Sequence, residues 1–154
     1  MTGTGEDEKY MKLALREAKK ALEAGEVPVG AVIVSDGRVL ARAHNMREIS
    51  SDPTGHAEII ALRQAGRRIG SWRLCGATLY CTLEPCCMCA GAMINARIER
   101  VVYAVSDPKS GACGSVTNLF DLETLNHAVA SAGGVMADEG LKLLRDFFKP
   151  RRSR

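Results

Sequence analysis

At 154 residues, 46% apolar and 25% charged, the chain is long enough to bury one core and is neither disordered nor fibrous in composition. Its formal net charge of +3 implies no particular partner, and no apolar run approaches the ~20 residues that cross a bilayer. The opening MTGTGEDEKYMKLAL is acidic before it turns apolar, unlike a secretory signal, which points to the cytoplasm, where clustered cysteines stay reduced and more often hold metal than form disulfides.

Met11, Leu13, Ala14, Leu15, Ala18, Ala21 and Leu22 recur at helical spacing, and Gly25 is a natural stop. VGAVIV and RVLARAHN read as strands joined through the hairpin signal SDG. Asp52-Pro53 reads as a cap with proline at the first helical position, opening TGHAEIIALRQAG. Strand ATLYCTL, a helix from Pro85 and strand RVVYAV then form a β-α-β unit, which predicts parallel strands with a right-handed crossover. A Gly/Ser-rich loop at 110–115 leads to LFDLETLNHAVA, a short strand near Gly134-Val135-Met136 and a last helix from Ala137 to Lys149. The sum is one α/β domain over 1–154, a mostly parallel five-stranded sheet with helices on both faces and a basic tail at 149–154.

The stretch TLYCTLEPCCMCAGAMI, residues 78–94, crowds Cys81, Cys86, Cys87 and Cys89 at a strand-to-helix junction. Three residues apart on a helix, Cys86 and Cys89 share a face, and the first helical turn favours their thiolates. His56 also falls in the first turn of a predicted helix. One histidine and two cysteines leave a tetrahedral zinc ion one open position, as catalytic rather than structural sites do. Glu58, two residues beyond His56, lies on nearly the opposite face of a regular helix, so His56 must meet the metal from beyond the helix end. A carboxylate beside a zinc-activated water can take its proton and deliver it to a substrate nitrogen.

Rival readings predict other companions. A thioredoxin-like redox pair explains the C-x-x-C and leaves His56 and Glu58 without a role. A closed structural zinc module wants a fourth protein ligand, and none is evident. Cys75, Cys81, Cys87 and Cys113 read as small fillers or loop residues, His44 as a strand end, RQAGRRIGSWR as a solvated face and Phe147 as a core anchor.

His56-Ala57-Glu58 with Pro85-Cys86-Cys87-Met88-Cys89 resembles the H-x-E…P-C-x-x-C signature of zinc nucleobase deaminases. EVPVGAVIV, HN at 44–45, DPTGHAEIIALRQ, RIERVVYAVSDPKSGACGS, LNH and LLRDFFK extend the resemblance, almost end to end, to the bacterial tRNA-specific adenosine deaminases. Gly55, where alanine is usual, and Asn95, where many members have histidine, depart from the pattern, and Pro150 interrupts the basic tail.

The resemblance implies a cytidine-deaminase-like three-layer α/β/α fold, a homodimer and one zinc ion per subunit. It implies hydrolysis of the wobble adenosine, in the anticodon stem-loop of an arginine tRNA, to inosine by a zinc-bound hydroxide. His56, Cys86 and Cys89 would be the ligands, Glu58 the proton shuttle and Asn45 a hydrogen-bonding partner of the flipped base. Asp107, Asn126, His127, Phe148, Arg151 and Arg152 match positions that line the anticodon-loop surface. Among deaminases, the rival is an enzyme of free cytosine, guanine or a nucleotide.

Overall fold

The computed structural model describes residues 4–152, with side chains through Lys149. Helix α1, Gly5–Glu23, opens on a capping box: the Asp7 amide donates to Thr4 Oγ1 at 3.2 Å and the Thr4 amide to Asp7 Oδ2 at 3.4 Å. Its apolar stripe, with Tyr10, Met11, Ala14, Ala18 and Ala21 buried, lies on the sheet. Strand β1, Gly30–Ser35, begins where that helix comes closest: a Cβ on Gly30 would sit 2.0 Å from the Ala14 carbonyl oxygen. Asp36 (φ 51°) and Gly37 (φ 72°) then make a two-residue turn into β2, Arg38–His44. Two consecutive left-handed residues are what a type I′ hairpin requires.

The expected β-α-β unit follows, as β3 (Thr78–Leu83), α3 (Cys87–Asn95) and β4 (Arg100–Val105), with β3 and β4 parallel. Both strands are buried at their four central residues, as strands covered on both faces are. With a short fifth strand, β5 (Ala130–Ala132), the sheet order is β2-β1-β3-β4-β5. Because β1 is antiparallel to both β2 and β3, while β3, β4 and β5 are mutually parallel, four of the five strands run one way and β1 alone runs against them.

Side-chain alternation splits the core in two. Leu79, Cys81, Val101 and Tyr103 pack with Ala61, Ala65 and Met93 under α2 (Ala57–Ile69) and α3. Tyr80, Val102 and Ala104 pack with Tyr10, Met11 and Ala14 under α1, the face that also carries the last helix, α4 (Ala137–Arg152). The expected three layers are therefore present. On the α1 face, Arg100 donates to Asp7 through Nη1 at 2.8 Å and Nη2 at 2.6 Å, and Tyr80 Oη donates to the same carboxylate at 2.9 Å. The Arg100 guanidinium holds Asp7 below the usual carboxylate range, although burial opposes it.

Four boundaries differ from expectation. Asp52 and Pro53 do not open α2. Asp52 Oδ1 instead accepts from the Thr54 amide and hydroxyl, both at 2.8 Å, in a turn that competes with the helix, and α2 starts at Ala57 with His56 as its cap. Helix α3 starts at Cys87 rather than Pro85, with Cys86 extended at its cap. The fifth strand, β5, is Ala130–Ala132 rather than 134–136. Gly134 (φ 88°) and Met136 (φ 57°) turn out of the extended region and cannot continue a ladder. Finally, α4 runs through Pro150 to Arg152. Only the last turn carries the proline, so its missing N–H breaks a single terminal bond.

Candidate active site

Two helix caps converge at one end of the strands, beyond the C-terminal end of the central strand β3. His56 precedes α2 with φ −75° and ψ 148°, and Cys86 precedes α3 with φ −79° and ψ 177°; neither side chain caps its own helix. Extended backbone at both caps frees the imidazole and the thiol to face each other. His56 Nδ1 lies 3.7 Å from Cys86 Sγ and 3.4 Å from Cys89 Sγ, and the three donor atoms all fall within 4.8 Å of one another. A tetrahedral zinc ion with ordinary Zn–N and Zn–S bonds sets its N and S donors roughly 3.6 Å apart. The three side chains therefore fit such an ion without rearrangement, and the donor set of one imidazole and two thiols is the one zinc prefers.

The cap position of His56 also answers the spacing problem. Because His56 stands outside the helix and Glu58 inside its first turn, the two need not share a helical face to share a site. Burial pushes Glu58, 4% exposed, above the usual carboxylate range, which suits a group that must carry a proton as well as take one. The Cys86 thiol is pushed down to about 3, first by the Cys89 S–H, against the opposing effect of burial, and further by His56. Donation to Cys86, together with burial, raises Cys89 in turn. His56 is raised by the same Cys86 thiolate. Both cysteines sit at the N-terminal end of α3, where unpaired amides and the helix dipole favour negative sulfur.

His56, Glu58 and Cys86 line a cavity of about 190 Å³ with Asn45, Arg47, Val27, Val29, Glu84 and Asp107. That is below the ~300–1,000 Å³ of pockets for drug-sized ligands, so it takes a ring system rather than a whole nucleotide. Asn45 is held by its own loop: Nδ2 donates to the Val27 carbonyl at 3.2 Å and Oδ1 accepts from the Arg47 amide at 3.0 Å. Each amide atom keeps one further hydrogen-bonding position, a donor and an acceptor for a base edge.

The other expected contacts fall in three places. Asp107 is shared between this cavity and a neighbouring groove of about 740 Å³, which Phe148, 42% exposed, also lines with Arg145 and Lys149. Asn126 and His127 are not brought to the site within one chain. His127 Nε2 donates to the Ile98 carbonyl at 2.7 Å, before the start of β4, whereas Asp107 follows its end. Seven residues of extended chain separate Ile98 from Val105, roughly 20 Å. The side chains of Arg151 and Arg152 lie outside the described residues. Cys81 and Cys113 are buried, Cys75 is exposed, and Cys87 is exposed on a separate groove rather than on the metal-ligating face. Phe147, 7% exposed, is the core anchor expected.

Sequence reasoning gave no role to Arg47, Ser110 or Glu84, all of which line the cavity. Glu84 carried a usable signal, since a carboxylate closing an apolar strand is rarely buried unless it is paired. It is 2% exposed and accepts from the backbone amides of Asp107 at 3.0 Å, Cys113 at 2.9 Å and Ser115 at 3.1 Å, and from the Ser115 hydroxyl. Burial alone would raise this carboxyl; the hydrogen bonds, led by Ser115, more than offset it and hold it below the usual range.

A deaminase is the class of protein these features define. The family model of the MafB19-like deaminases matches residues 5–152, and the chain belongs to that family. Its sequence is 48% identical over 149 residues to the tRNA-specific adenosine deaminase of Bacillus subtilis (strain 168), covering 97% of this chain and 92% of that relative. Its structure matches one solved in studies of A-to-I editing by tRNA:A34 deaminases at the wobble position of transfer RNA. That match has a TM-score of 0.85 and 47% identity, over 88% of this chain and 99% of that one. The guanine deaminase of Bacillus subtilis matches with a TM-score of 0.62 and 40% identity, over 68% of this chain and 66% of that one. The architecture is thus the cytidine-deaminase-like α/β fold. No helix among the described residues is long and apolar enough to cross a membrane.

Proposed function

We propose that this protein hydrolyses the wobble adenosine of a tRNA to inosine, releasing ammonia, with one zinc ion per subunit held by His56, Cys86 and Cys89. The observation that carries the reading is the convergence of those three donors beside buried Glu58 on a cavity of about 190 Å³, the size for one base. Likeness to tRNA-specific adenosine deaminases over nearly the whole chain supports the substrate. The bound metal would supply a Lewis acid that lowers the pKa of a water towards ~7.

The chain's own residues do the rest. Asn45 holds the base edge with its remaining donor and acceptor. Glu58 takes a proton from the attacking water and gives it to N1 of the ring as the bond to C6 forms. It then takes the proton of the new C6 hydroxyl and passes it to the exocyclic amine, too poor a leaving group to depart as an anion, so that ammonia leaves as the C6–N bond breaks and the C6 carbonyl of inosine forms. The apolar wall of Val27, Val29 and Leu83 excludes bulk water from these transfers.

Asp107 and Phe148, on the adjoining groove, would meet the flanking nucleotides, with Arg151 and Arg152 on phosphates; stacking on an aromatic ring contributes roughly 1–3 kcal/mol. The family resemblance points to an arginine tRNA and to the cytoplasm. It also points to a homodimer, for which a large groove on α2 and α3 is the candidate face. This groove, about 1190 Å³, is lined by Ile59, Leu62, Met88, Gly91, Ala92 and Trp72, and Trp72 is 58% exposed. Asn126 and His127, which line neither the cavity nor the adjoining groove of their own chain, would contact RNA outside that chain's own base cavity.

The test is to incubate zinc-loaded protein with an anticodon stem-loop bearing adenosine 34 and, separately, with guanine. Inosine in the RNA upholds the reading. Deamination of guanine with none of the RNA would replace it by the free-base reading that the guanine deaminase match favours.

A further inference from the structure

Glu84 is a buried carboxylate that the chemistry above does not use. Among the described residues it has no cationic partner within 4.0 Å. Its four donors all come from one segment, 107–115. Oε1 takes the Asp107 amide and the Ser115 hydroxyl, at the two ends of that segment, and Oε2 takes the Cys113 and Ser115 amides. Gly111 lies flat against the carboxylate: a Cβ there would stand 2.4 Å from Cδ and 2.5 Å from each oxygen. The neighbouring Pro85 carbonyl accepts from the Ala112 amide at 2.8 Å. The residue before the Pro85-Cys86 junction thus clasps the loop that carries Asp107 and Ser110 into the cavity wall.

Asp107 in turn is locally folded. Its Oδ1 accepts from the Lys109 amide at 3.0 Å and the Ser110 amide at 3.2 Å, so its backbone position decides where the turn sits. A loop with this many backbone donors gathered on one anion has no regular ladder to fall back on. Without the anion, the amides of Asp107, Cys113 and Ser115 lose their shared acceptor.

We propose that Glu84 is a positioning residue for the substrate wall of the cavity, fixing residues 107–115 against the Cys86 junction. It acts on how the substrate is held rather than on metal retention or proton transfer. The proposal rests on the RNA reading above for the identity of the substrate, and on geometry alone for the clasp. The two oxygens make one substitution selective. In Glu84→Gln, the amide oxygen can keep one pair of donors, and the Ser115 hydroxyl can turn to accept. If the Cys113 and Ser115 amides keep the oxygen, the new NH₂ meets the Asp107 amide, donor against donor, and the Asp107 end of the loop is released. Gly111→Ala reaches the same clasp from the other side by displacing the carboxylate with its charge intact.

The experiment uses zinc-loaded full-length parent, Glu84→Gln and Gly111→Ala. Each is measured for zinc content, for amide hydrogen exchange across 107–115, and for steady-state kinetics on the adenosine-34 stem-loop. In both variants, exchange of the loop amides is expected to rise about tenfold or more, with zinc still at one per chain. KM should rise about tenfold while kcat stays within about threefold, the signature of a wall that binds substrate and transition state alike and takes no part in the chemical step. Unchanged exchange, raised exchange with unchanged KM, or loss of zinc in both variants would overturn the proposal; the last would make Glu84 a support of the metal junction. If the parent forms no inosine, the RNA reading fails by itself. The exchange measurement then still decides the clasp, raised rates upholding it and unchanged rates overturning it.

Discussion

The two ends of β4 use similar chemistry for different purposes. At its start, Arg100 is spent on Asp7, Tyr80 joins them, and His127 closes on the Ile98 carbonyl, so each of these polar side chains has a partner that belongs to the fold. Beyond its end, Asn45 keeps a donor and an acceptor unused, Glu58 is buried with its carboxyl raised, and His56, Cys86 and Cys89 aim donors at a common point. A saturated polar cluster stabilises; a buried cluster with hydrogen-bonding and metal-ligating capacity left over is a place for something to bind. Glu84 stands between the two cases, saturated itself and shaping a wall for others.

The largest effect that separates the ends concerns metal. Cys86→Ala should leave the protein with almost no zinc, whereas Cys87→Ala, whose side chain faces the α2–α3 groove, should retain about one per chain. Elemental analysis of both purified variants decides it, and equal losses would contradict the assignment of ligands by orientation. Packing supplies the next effect. Gly30→Ala should destabilise the whole domain by ~3 kcal/mol or more, since its Cβ would overlap backbone of α1 rather than a movable side chain. Chemical denaturation measures this directly.

A smaller effect concerns acid. The carboxyl of Asp7 is depressed by Arg100, so its contribution is complete above the unfolded value of ~3.9 and is lost as pH falls through the lower folded value. Asp7→Asn should therefore cost about 2 kcal/mol at neutral pH and show a flatter loss of stability below pH ~4 than the parent. Parallel unfolding curves for the two proteins across that range would show that the pair contributes nothing. Smallest of all, His127→Ala removes one hydrogen bond at the far end, about 1 kcal/mol of stability. It should leave the rate of the chemical step in a single-turnover assay unchanged. A slowed chemical step would mean that this end of β4 communicates with the site.

What could be read from the sequence follows from the same contrast. His56, Cys86, Cys89 and Glu58 were legible because their residue types are costly to gather without a metal or a reaction to serve. The three-layer sheet was legible because its strands and helices carry clear periods. The cap position of His56 was not, because Asp52 has both a helix-capping and a turn-forming use, and only the Thr54 hydrogen bonds select the turn. The fifth strand was misplaced because Gly134 and Met136 adopt left-handed backbone that Val135 between them does not announce. Glu84 was invisible as a clasp because its partners lie 23 to 31 residues away, in a loop with no periodicity to pair it with. Asn126 and His127 were legible only as a motif match, and the motif says nothing of the bond from His127 to the Ile98 carbonyl that fixes where the pair sits in the fold.

The most direct test of the account is single-turnover deamination of the adenosine-34 stem-loop by Glu58→Gln and parent protein. The variant is nearly isosteric and should keep its fold and its zinc, but glutamine cannot accept and return the two protons the reaction requires. The account predicts that inosine formation falls by roughly 10²–10⁴-fold. A rate within about tenfold of the parent, with metal and fold intact, would show that another group or water moves those protons and would contradict the central role given to Glu58.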